Sequence, residues 1–82
     1  MVEIAHVRYL TWKDAFEVEF EDGLSFLETH ETVRRANRIS ARATPVKVEL
    51  NDTSLGFEVH YNTGEVGEIS WAFIRELPPR SK

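Results

Sequence analysis

The sequence predicts an α+β fold: an antiparallel sheet of about five or six strands, built from two similar hairpin units, with one helix over about residues 30–40 packed on one face. Three observations lead there. Phe16, Val18 and Phe20 alternate without exception with Glu17, Glu19 and Glu21, which is the period of a half-buried strand. The pattern Phe16-Glu17-Val18-Glu19-Phe20-Glu21-Asp22-Gly23 returns 41 residues later as Phe57-Glu58-Val59-His60-Tyr61-Asn62-Thr63-Gly64. Between the two lies a stretch with helix-start chemistry and no Gly or Pro.

Val2 to Leu10 reads as the first strand, with Ile4, Val7, Tyr9 and Leu10 as core candidates in imperfect alternation. Thr11-Trp12-Lys13-Asp14 is a turn, followed by the clear strand Ala15 to Glu21. Asp22-Gly23 turns the chain tightly, because Gly accepts positive φ and Asp bonds its own backbone. Leu24 to Leu27 returns as the partner strand. Thr29 can cap a helix from His30 to Ser40, with Glu31 favourably placed in its first turn and Val33, Ala36 and Ile39 or Asn37 inward. Thr44-Pro45 falls after that helix.

Val46 to Leu50 alternates again, with Val46, Val48 and Leu50 inward. After the turn Asn51 to Ser54 comes a strand from Leu55 to Tyr61, and Asn62-Thr63-Gly64 leads to a last strand from Glu65 to about Trp71. Ala72 to Leu77 continues as strand or makes one helical turn before Pro78-Pro79 ends it. The expected organisation is a single domain over 1–82: a first hairpin unit (1–27), a helix and basic segment (28–44), a second hairpin unit (45–77) and a tail (78–82). The repeat is compatible both with an internal duplication and with two independent hairpins of like pattern.

At 82 residues the chain has room for one modest core. It has no cysteine, which excludes disulfides, thiolate metal sites and cysteine nucleophiles. No apolar run approaches a membrane span, and no basic-then-apolar N-terminal stretch is present, so a cytoplasmic location is expected. His6, His30 and His60 show no ligand spacing, the serines no nucleophile elbow, and the glycines no phosphate loop. No cofactor, no metal and no enzyme activity is therefore expected.

Charge is divided more sharply than the net −4 suggests. From Thr32 to Val48 there is no acidic residue, yet Arg34, Arg35, Arg38, Arg42 and Lys47 all lie there; the remainder holds five basic residues against all fourteen acidic ones, a balance of −9. Arg34, Arg38 and Arg42 are four apart and would form one stripe on a continuous helix, with Arg35 beside it. Such a stripe is either a solubilising face paired with neighbouring glutamates or a surface for an acidic protein or a phosphate backbone. Trp12, beside Lys13-Asp14 in a turn, either packs over the sheet edge or anchors a partner.

The run Ile4, Val7, Leu10 and then Phe16 to Gly23 resembles the opening hairpin of the small bacterial "domain of unknown function 2442" proteins, whose strand ends in Phe-x-Asp-Gly; Ile69-Ser70-Trp71 is similar to their C-terminal strand. Ala72 departs from the Pro that usually follows that Trp. The resemblance implies a small α+β fold without established activity and, through toxin-like neighbours of some members, a protein-binding role. The leading expectation is thus a non-catalytic protein-interaction or regulatory module that meets its partner through Arg34, Arg35, Arg38, Arg42 and Trp12. A nucleic-acid-binding accessory domain using the arginines is the second reading, and a homo-oligomeric structural protein the third.

Overall fold

The computed structural model describes residues 2–79. Its elements run β1 (Ile4–Leu10), β2 (Ala15–Phe20), β3 (Ser25–Thr29), α1 (His30–Ala36), β4 (Pro45–Leu50), β5 (Gly56–Tyr61), β6 (Val66–Ser70) and α2 (Trp71–Arg75). The strands form two antiparallel three-stranded sheets, ordered β1-β2-β3 and β4-β5-β6. The expected single sheet of five or six strands with one helix is corrected on both counts. β1 and β4 lie side by side but belong to different ladders. Each begins with a bulge, between Ile4 and His6 and between Pro45 and Lys47, which bends and twists the strand. Pro45 also has no N–H to give to a neighbour. The second helix forms because Trp71, Ile74 and Leu77 share one helical face; Ile74 is fully buried, and the other two pack against the core.

The two sheets repeat one βββα unit, element for element, at the offset of 41 already visible in the sequence. The correspondence extends to irregular features that a shared strand pattern alone does not require. Both bulges fall at the same place, and both tight turns carry a glycine in the left-handed region, Gly23 at φ 88° and Gly64 at φ 90°. The Phe20 N–H donates to the Leu24 carbonyl (2.9 Å) just as Tyr61 N–H donates to Glu65 (3.0 Å). The bulges explain the imperfect alternation of the first strand, since Ala5 is the extra residue that lets Ile4 and Val7 face the same side. They also correct the expectation for Val46: as the extra residue of the second bulge it is 65% exposed, while Val48 and Leu50 pack against the core.

α1 ends at Ala36, four residues before the expected Ser40. Asn37 is its C-cap, Arg38 follows at φ 54°, and the N–H groups of Arg38 and Ile39 return to the carbonyls of Arg35 (3.3 Å) and Arg34 (2.9 Å). This is a Schellman motif with arginine in the left-handed position usually taken by glycine, and the buried Ile39 supplies its hydrophobic closure. The Asn37 amide then reaches β6, donating to Glu68 O (3.1 Å) and accepting from Glu68 N (3.0 Å), as a neighbouring strand would. In return Arg75 of α2 reaches the β2–β3 turn, binding Asp22 Oδ2 (3.1 Å) above the rings of Phe20 and Phe26. One apolar cluster draws on both units, with Phe16 against Phe57, its counterpart, at 5.5 Å between centroids.

Candidate binding groove at the seam between the sheets

Because β1 and β4 have ladder partners on one side only, the seam between them is lined by two strand edges. Its two ends differ. At one end the Ile4 N–H donates to Ser54 O at 2.7 Å and ties β1 to the β4–β5 loop. The equivalent bond at the other end, shifted by 41 residues, would run from residue 45 to the carbonyl of residue 13. Pro45 cannot donate it. At that end lies a groove of about 280 Å³, lined by residues 7–9 of β1 and 45–48 of β4. Val7, Tyr9 and Val48 form an apolar floor continuous with the core, and the exposed Val46 extends it outward. Arg8 and Lys47, both well exposed, give the lining two positive charges. Arg8 spends its Nε on Glu17 (2.7 Å) and Lys47 sits 3.3 Å from Glu49.

One side of the groove is anchored by a polar cluster. The Tyr9 hydroxyl donates to Asp14 Oδ1, and the same oxygen lies 3.0 Å from His30 Nδ1. Asp14 is held for this at φ 50°, and its carbonyl accepts the His30 N–H (3.0 Å). Burial, reinforced by the Asp14 carboxylate, pushes the Tyr9 hydroxyl up to about 12, so it is a neutral donor across the ordinary pH range. Tyr61 is likewise raised to about 12 by burial, against the pull of nearby Arg34, and its ring stacks on His30 at 5.5 Å. His30 Nε2 and the Tyr61 hydroxyl are buried with no hydrogen-bond partner among the described residues. No spacing in the sequence announced this cluster; the β1–β2 turn and the β3–α1 junction bring it together.

The predicted site residues are spread over several elements. Arg34 and Arg35 lie on α1, where Arg35 pairs with Glu31 one turn back at 2.9 Å. Arg38 is in the left-handed cap, and Arg42 lies in the following turn, its N–H on Ser40 Oγ (3.2 Å). The helix ends too early for 34, 38 and 42 to form a helical stripe. Trp12 stands 73% exposed in the β1–β2 turn. His60, in contrast, gains a neighbourhood: the register of β4 and β5 sets Glu49 opposite Glu58, and with His60 their ligand atoms lie within 4.8 Å of one another. His60 Nε2 already binds Glu49 (2.9 Å), and Lys47 holds the Glu49 carboxyl below the usual range, so Glu49 is engaged by both neighbours.

Comparison with known proteins bears on the fold. No family model matches the chain, and no curated protein matches it. Among solved structures, it is similar to a protein of unknown function belonging to the DUF971 family, from Acidithiobacillus ferrooxidans. The TM-score is 0.65 at 20% identity, over 90% of each chain. That likeness shows a shared α+β architecture across nearly the whole length. No helix among the described residues is long and apolar enough to cross a membrane.

Proposed function

We propose that this domain is a non-catalytic protein-interaction module and that the open end of the β1–β4 seam is its binding surface. The observation that carries the reading is the asymmetry of the seam. Two units of the same design meet there, one end is tied by the Ile4–Ser54 hydrogen bond, and the other is left open at Pro45 over an apolar floor with Arg8 and Lys47 in its lining. Strand edges beside apolar side chains are the elements from which peptide-binding grooves are made. Arg34 and Arg35 lie on α1 while Arg38 and Arg42 follow its end, so the continuous helical stripe on which the nucleic-acid reading rests is not formed.

The reading is tested by selecting peptides from a displayed library on the intact domain and mapping the binders by backbone amide chemical shifts. Perturbations concentrated at Val7, Arg8, Tyr9, Val46, Lys47 and Val48 are expected. Binding that maps instead to Arg34–Arg42, or the absence of any selected binder, would overturn it.

A further inference from the structure

Resting on that reading, we propose that the occupant is an extended segment of another protein that adds as a strand to the free edge of β1, apolar toward Val46 and Val48 and acidic where it passes Arg8 and Lys47. Three features of the seam specify this chemistry. The first is backbone: β2 is the one ladder partner of β1 among the described strands, so beyond the Ile4–Ser54 hydrogen bond its other edge lies along the groove with main-chain donors and acceptors. An added strand satisfies them, and β1 is the better template, because Pro45 deprives β4 of a donor at the open end.

The second feature is size. About 280 Å³ is near the lower limit for ligand pockets, enough for two or three side chains of a peptide rather than a bulky cofactor. The apolar floor of Val7, Tyr9 and Val48 takes alternate side chains of such a strand, while Val46, already 65% exposed, covers them from the side. The third is charge. Arg8 gives its Nε to Glu17 and carries further N–H donors on its guanidinium, and the Lys47 ammonium has donors beyond the one facing Glu49. These two exposed cations attract an acidic segment to the groove.

The experiment takes one peptide selected on the domain and varies it against the protein. Methylating its backbone nitrogens at alternate residues should weaken binding about tenfold for one set and little for the other, because only one edge of an added strand faces β1. Replacing its carboxylate by the carboxamide should weaken binding severalfold and flatten its salt dependence. On the protein, Pro45→Ile restores an N–H at the position where Ile4 uses one; it should close the seam and abolish binding while the unfolding midpoint stays level or rises. Val46→Asp, at an exposed position, should leave the fold intact by circular dichroism and repel the peptide. If binding persists in the groove but neither methylation set matters, strand addition is wrong and the interaction reading stands; if no peptide binds the groove, both fall. Concentration-dependent dimerisation that fills the groove with a second copy of this chain would overturn the choice of a foreign partner.

Discussion

Glu28 is the residue whose chemistry sits least easily with its surroundings. It is 2% exposed on β3, opposite Phe16, and its Oε2 has no hydrogen-bond partner among the described residues. Burial raises its pKa above the usual 4.5, only partly opposed by the Thr29 backbone. A raised carboxyl pKa means that the folded state holds the proton more tightly than the unfolded one. Its contribution is therefore present below about pH 4 and lost as pH rises through the folded value. The second unit places Ile69 at the corresponding position, equally buried. Glu28→Ile should accordingly raise stability at pH 7 by about 1–2 kcal/mol in urea unfolding, with the gain shrinking toward pH 4. Arg38 carries a backbone cost instead, since a side chain in the left-handed region is disfavoured. Arg38→Gly should raise the unfolding free energy by up to about 1 kcal/mol, measured the same way.

At the scale of the element, the short helix α1 depends on how it ends as much as on how it begins. Thr29 Oγ1 accepts the Thr32 N–H at its start (3.2 Å), as the sequence indicated. Its end is settled by Asn37, whose side chain joins Val33 O (2.9 Å) to both backbone groups of Glu68 on β6. Those partners lie about thirty residues apart and are invisible to local patterning, which is why the helix reads four residues too long in the sequence. Asn37→Asp keeps the acceptor but replaces the donors with a carboxylate beside two carbonyls. It should cost about 2–3 kcal/mol and accelerate amide exchange at Glu68. The same reasoning applies to β4. Its run of alternating valines looks regular in sequence, yet the bulge at Val46 turns that residue outward, because the pairing with β5 skips one position.

Across the whole molecule, each helix fastens the other unit. α1 holds β6 through Asn37, while α2 holds the first hairpin through Arg75, which lies 4.8 Å from the Phe20 centroid and 5.2 Å from that of Phe26 while binding Asp22. The Leu24 N–H and then Arg75 keep the Asp22 carboxyl below its ordinary range, so this contact is present near neutrality and is lost as pH falls through the lowered value. Arg75→Ala removes the ion pair and uncovers both rings; a loss of about 1–2 kcal/mol is expected in thermal or urea unfolding. The crossed fastening also accounts for the shared cluster around Phe16 and Phe57: neither unit covers its own apolar face alone.

The sequence by itself determined the strands, the glycine turns, the cap at Thr29 and the 41-residue repeat, because each rests on residues close together in the chain and on their periodicity. Its charge division was legible too, but not the arrangement of those charges, since the spacing of Arg34, Arg38 and Arg42 makes a stripe only on a helix that continues. Tertiary structure decided that the strands divide into two ladders, that Tyr9, Asp14 and His30 meet, and that the seam is tied at Ile4 and open at Pro45. Each depends on which edges approach one another and which backbone donors survive there. A proline that reads in sequence only as a loop marker becomes, once β4 lies beside β1, the missing hydrogen bond that leaves the groove open.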